Sequence, residues 1–184
     1  RRVTTQHGVT AHDMRFKGSV KLIDTSIYGL LLMRYCQIDG ELFIQSARET
    51  VQIASDLDLS HLRAKAVEVQ GLTVNRCLNL SGALIQQHLI FDKSQLKANP
   101  TTIGNSLQSA EIALNLHGVT IQHNHLTCLG IEVGGEIEAS FLTVGTGLFL
   151  HEACQVVGDV ELSGCTIPQV LSILGGNLRR LRIT

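Results

Sequence analysis

Apolar side chains in this chain come in doublets two residues apart. In residues 77 to 96, CLNLSGALIQQHLIFDKSQL, the inward candidates Leu78, Leu80, Ala83 and Ile85 recur eleven residues later as Leu89, Phe91, Ser94 and Leu96. Numbering the phrase from its first apolar residue gives positions 0, 2, 5 and 7. The same phrase reads through Val67, Val69, Leu72 and Val74; Leu114, Leu116, Val119 and Ile121; Leu126, Cys128, Ile131 and Val133; and Ile137, Ala139, Leu142 and Val144. It continues as Val160, Leu162, Cys165 and Ile167, then Leu171, Ile173, Gly176 and Leu178. Near the start, Val20, Leu22, Thr25 and Ile27 match Leu31, Met33, Cys36 and Ile38, with Gly18, Gly29 and Gly40 ahead of successive units. Leu57, Leu59, Leu62 and Ala64 fit after a one-residue slip, and Leu148, Leu150 and Ala153 fit with one extra residue before Val156. A period sustained over most of the chain marks a repeat architecture.

Residues two apart on an extended strand point to the same side, so each doublet predicts a very short strand with both side chains inward. Intervals of five and six residues leave no room for a helix, and 0, 2, 5, 7 does not follow the helical period. The chain must turn a corner after each doublet. Four sides close a coil of about 22 residues, and stacked coils pair as parallel strands ~4.8 Å apart. The predicted fold is all-β: a right-handed parallel β-helix of about six coils by that spacing. A two-sided coil of eleven residues is the alternative, with an interior too thin for facing Leu and Ile. Two stretches break the phrase and read as insertions, one near 46–56 and one over 97–113, where Asn99-Pro100 forms a turn. Residues 1–17 read as an N-terminal segment or cap and 18–184 as the solenoid domain, with the whole chain reading as a fragment.

Composition narrows the picture. Of the 184 residues, 44% are apolar, 17% charged and 4% aromatic, with no Trp, which predicts a narrow core of Leu, Ile, Val and Ala. A net charge of −1 argues against general binding to nucleic acid or membrane surfaces. No apolar run is long enough to span a bilayer. The five cysteines (Cys36, Cys77, Cys128, Cys154 and Cys165) are scattered, with no C-x-x-C. Three lie on inward positions, whereas Cys77 and Cys154 fall outside the register and are expected at the surface. This usage suits a reducing compartment and a cytoplasmic location.

The phrases LNLSGALI and VELSGCTI resemble pentapeptide-repeat proteins, four-sided right-handed β-helices with a small residue and a Leu or Phe two apart in every five. Here alternate sides carry an added residue. The text LxLSGAxI is also similar to bacterial sequences labelled membrane-associated oxidoreductases. The resemblance implies a bacterial solenoid.

Candidate chemistry is sparse. VGTGLFL holds Gly145 and Gly147, but Leu150 occupies the place of the third glycine of a dinucleotide fingerprint, so corner glycines are expected. His117, His123 and His125 suggest a metal only if they share a strand face; exposed corner positions are expected for His123 and His125. Glu132, Glu136, Glu138, Asp159 and Glu161 predict a mildly acidic outer face, with Glu138 and Glu161 stacked. The basic run NLRRLRI, 177 to 183, reads as a cover for the last coil or a contact for an acidic partner. No catalytic, cofactor-binding or metal residues are assigned and no cofactor is expected. The expected function is a non-catalytic scaffold or protein–protein interaction module, with a possible homodimer through a terminal coil. A carbohydrate-active enzyme, working in a groove beneath the 97–113 insertion, is the competing reading.

Overall fold

The computed structural model describes residues 3–47, 50–98 and 111–184. Twenty-seven short strands follow one another, and every named strand pair is parallel. They form a β-solenoid whose sides recur in fixed order. The fourth coil shows the pattern: Leu72–Val74 is side one, Leu78–Asn79 side two, Leu84–Ile85 side three and Leu89–Asp92 side four. Each pairs with its counterpart in the coil before and the coil after. Side four holds seven strands and side three six. Sides one and two run as separate ladders until Gln155–Glu161, one long strand that pairs with Glu132–Val133 at its start and Glu136–Glu138 at its end. That strand joins them into one 14-stranded sheet, so four sides make three sheets.

Register fixes the coil length. Val20 pairs with Leu42, Val67 with Leu89 and Leu126 with Leu148, each 22 residues apart. The two-sided alternative is thereby excluded. Residues 3–16, expected as an N-terminal segment or cap, supply three sides of the first coil. The 46–56 stretch is only partly an insertion. Ser26 pairs with Gln52, 26 residues on, so four extra residues lie between Gln45 and Val51. Val51 and Ile53 are buried side-one residues. From side one to side two of the fifth coil the offset rises from 22 (Thr73 to Gln95) to 36 (Leu78 to Leu114), which places a 14-residue insertion there, and one further residue before side four brings the Leu89 to Leu126 offset to 37. Its Asn99-Pro100 turn lies outside the described residues.

The interior is one continuous apolar column from Ile27 to Leu162, built from Leu, Ile, Val and Ala with Phe91 the largest side chain sealed inside. Inward hydroxyls bond the backbone of their own turn or of an adjacent coil, with Thr5 Oγ1 left without a partner among the described residues. Inward Ser94 donates its hydroxyl to the Asp92 carbonyl (3.1 Å) and accepts from the Leu72 amide (3.2 Å) one coil below.

The three-residue gap between positions 2 and 5 has a specific cause. Position 4 takes the left-handed conformation at two corners of the coil. Between sides two and three these residues are Asp13, Tyr35, His61, Gly82, Gly118, Phe141 and Gly164. Between sides four and one they are Asp24, Gly71, Lys93, Gly130 and Gly175. One left-handed residue swings the next side chain inward, so each doublet is followed by a sharp bend. The sixth coil has two such residues in succession, Glu152 (φ 57°) and Ala153 (φ 59°). This corrects the expected register: Ala153 is exposed, and Cys154, expected at the surface, takes position 5 and is fully buried.

Candidate functional site

Side two carries the LxLSGA text and its acidic residues, so it is the first place to look for chemistry. Its outward position is occupied in successive coils by Leu32, Asp58, Asn79, Asn115, Glu138, Glu161 and Arg182. Glu138 and Glu161 are direct partners, stacked as expected. Each acidic or amide member accepts a hydrogen bond from two residues ahead, just before the left-handed corner. The Ser60 amide donates to Asp58 (3.0 Å), Ser81 to Asn79 (3.0 Å), His117 to Asn115 (3.0 Å) and Ser140 to Glu138 (2.9 Å). Glu161 is bonded by the Ser163 hydroxyl. These are side-chain caps of a turn. Both carboxylates accept local donors, and each also faces a basic side chain: His117 Nδ1 lies 3.6 Å from Glu138 and an Arg182 nitrogen 3.8 Å from Glu161.

Asp58 is the most enclosed carboxylate of the ladder. Burial pushes its carboxyl upward, but the Arg34 hydrogen bond (Nε to Oδ2, 2.6 Å), the Ser60 donors and the Arg34 charge outweigh burial. Its pKa lies below the ordinary carboxylate value.

Asp159 and Glu132 are engaged as well. Asp159 receives Arg182 at 2.8 Å and Arg180 at 3.6 Å, across the pairing of Gln155–Glu161 with Asn177–Arg182. The basic run therefore adds a strand and neutralises the coil beneath it. Glu132 accepts the Gln95 amide at 3.1 Å on side one. Glu136 begins side two beside Ile112, at the end of the insertion.

The histidines separate. His117 sits at the side-two corner, edge-on to Phe141 with ring centres 5.6 Å apart. His123 is exposed at the corner before side four. His125 is half-buried rather than exposed, 6.4 Å from the His88 ring and 5.7 Å from Phe149. Burial, and then the neighbouring His88, lower its pKa. Among the described residues, no group of three or more His, Cys, Asp and Glu is arranged to hold a metal ion.

Cys36, Cys128 and Cys154 are buried. Half-buried Cys77 is pushed up to about 11 by burial and by the charges of Asp56 and Asp58. Burial also raises Cys128 and Cys165. Gly145 and Gly147 border the corner before side four, where an added Cβ at Gly145 would lie 2.6 Å from the Gln122 carbonyl oxygen. They are corner residues of the coil.

Three shallow grooves mark the outer faces. One of about 410 Å³ runs along side one between Ser26, Tyr28, Gln52, Thr73, Asn75 and Lys97. A second, of about 190 Å³, lies beyond Lys97 beside Glu132 and Val157. A third, of about 220 Å³, lies on side three between Gln37, Asp39, Arg63, Lys65, Leu84 and Gln86. Sequence reasoning missed this last cluster because its paired residues lie 21 to 26 apart in the chain and meet only through register.

The fold and its faces define a parallel β-solenoid of seven coils. No family model, curated protein or solved structure matches the chain, so the pentapeptide-repeat resemblance rests on the repeat positions alone. Among the described residues, no helix is long and apolar enough to cross a membrane.

Proposed function

We propose that the chain is a non-catalytic scaffold, a rigid rod whose outer faces serve as contact surfaces. The observation that carries this reading is the engagement of the acidic face: Asp58, Glu138, Asp159 and Glu161 each hold a turn or an adjacent coil. A catalytic acid must be free to exchange a proton with substrate, and these carboxylates are spent on architecture. Incubation with acidic and neutral polysaccharides is expected to release no reducing ends or unsaturated sugars. Release that disappears in Glu138→Gln or Glu161→Gln would establish the carbohydrate-active reading instead.

Self-association through a terminal coil belongs to the same reading. Inward Ile167, Ile173, Leu178 and Leu181 are only half-buried, whereas their counterparts in the middle coils are sealed. In a rod made of these 184 residues, a second copy can pair with the strands of that coil. The 184-residue chain is expected to sediment as a dimer at high concentration and as a monomer in Leu181→Arg. A wild-type monomer would remove the end-on contact.

A further inference from the structure

Side three separates its charges from the rest of the surface. Arg15 and Lys17 flank inward Phe16 in the first coil, and Arg63 and Lys65 flank inward Ala64 in the third. All four are exposed. Register places them on one face, since Arg15 pairs with Gln37 and Gln37 with Arg63. The second coil between them contributes a single acid, Asp39, already held by Arg15 at 3.1 Å and by the Gln37 amide at 3.0 Å. Arg34, Arg76, Arg180 and Arg182 each meet a carboxylate from a neighbouring coil. Among the described residues Arg63 and Lys65 meet none, yet they line the groove of about 220 Å³.

We infer that this groove binds a linear, carboxylate-bearing polysaccharide lying along the solenoid axis. Four cations against one acid on a molecule of net charge −1 make a local anion-attracting face. The two cation rows are two strand spacings apart, ~10 Å along the axis, so they meet an extended polyanion at regular intervals rather than one compact anion. Gln86 adds an amide donor and acceptor suited to sugar hydroxyls. The face lacks the deep apolar pocket that anchors a protein partner. Single-stranded nucleic acid needs free ring faces for stacking. The neighbouring rings are already stacked on each other, Tyr35 on His61 at 4.6 Å and 7°, with His12 5.4 Å from Tyr35. Strand addition by a peptide needs a sheet edge, which side three does not present, and an acidic peptide held by the cations alone is the competitor that polyglutamate tests.

The inference extends the scaffold reading by naming what one face holds, and it can fail separately. Polygalacturonate binding is measured on the whole chain by calorimetry, at low ionic strength and near ~0.15 M salt. Dextran, polyglutamate and single-stranded DNA are the comparison polymers. Polygalacturonate is expected to bind most tightly and dextran not at all, with affinity falling as salt rises. Arg63→Gln/Lys65→Gln is expected to weaken binding about tenfold through two lost charge-assisted contacts. Lys93→Gln/Arg179→Gln, which removes the same charge from other surfaces, should change it less than about twofold by the same scale. All four positions are exposed, so circular dichroism should report unchanged folding. The inference is overturned by absence of polygalacturonate binding, by equal losses in the two double variants, or by tighter binding of polyglutamate or DNA. Cleavage of the bound polymer that still depends on Arg63 and Lys65 would uphold the groove and overturn the non-catalytic reading.

Discussion

Gly82 shows how a single residue is dictated twice. Its φ of 66° lies in the left-handed region, and an added Cβ would stand 2.6 Å from His61 Nδ1 in the coil below. Gly82→Ala is expected to cost about 1 to 2 kcal/mol from the backbone conformation alone, plus displacement of the His61 ring. A second change, His61→Ser, should recover the steric part and leave the conformational part, as read from urea midpoints. Asp58 is dictated by its neighbours instead. Replacing it by Ala removes the Arg34 pair and the Ser60 cap, an expected loss of about 2 kcal/mol for hydrogen bonds to a charged group. Its folded pKa is depressed. The carboxylate's contribution is therefore fully present above the unfolded value of about 4 and is lost as pH falls through the lower folded value. The stability gap between wild type and Asp58→Asn should narrow on acidification below that value. A gap that widened would contradict the assignment. Cys77 has a chemical signature at the same scale: its alkylation should stay slow at neutral pH and accelerate toward pH 11.

At the scale of the strand and its corner, the repeating unit is a doublet, a cap and a left-handed turn. On side two the cap is written in the text as Asp, Asn or Glu at position 1 and Ser or His at position 3, as in LDLSHL, LNLSGA, LNLHGV and VELSGC. The inward doublets were legible because burial demands apolar side chains at period two. The caps carry no such signal, because a side chain that bonds its own backbone and one that faces water have the same polar character. The register slip at Ala153 has a related cause. Ala is small enough for an inward corner position and also tolerable in a turn, so composition cannot separate them. The second left-handed residue pushes Ala153 out and Cys154 in. Ala153→Gly should relieve the turn and raise stability by up to about 1 kcal/mol, the left-handed penalty less the added freedom of the unfolded glycine. A loss in thermal unfolding would argue against that geometry.

Across the whole molecule, each coil covers its neighbours and stability is close to a sum of adjacent contacts. Leu78 is fully buried with coils on both sides, so Leu78→Ala is expected to cost about 3 kcal/mol. Leu178, only half-buried on the last strand, should lose far less when replaced by Ala. Native-state hydrogen exchange should be slowest for side-four amides of Ala66–Gln70 and Leu89–Asp92 and fastest for Val170–Ile173. Uniform protection along the rod would contradict an array of semi-independent coils. The four-sided cross-section and the continuous column were both implied by the spacing of the doublets. The side-three cation face was not, since Arg15, Lys17, Arg63 and Lys65 carry no periodic signal of their own.

By itself the sequence determined which side chains face inward, where the chain turns, and that the coils stack, because apolar spacing is local and each turn repeats it. Only the tertiary structure decided which outward residues meet. Neighbours on a face are a full coil apart in the chain, and that distance varies from 21 (Leu57 to Leu78) through 23 (Glu132 to Gln155, past Ala153) and 26 (Ser26 to Gln52) to 37 (Leu89 to Leu126). Contact across coils depends on the sum of those shifts, which is settled when backbone hydrogen bonds lock the strands in register.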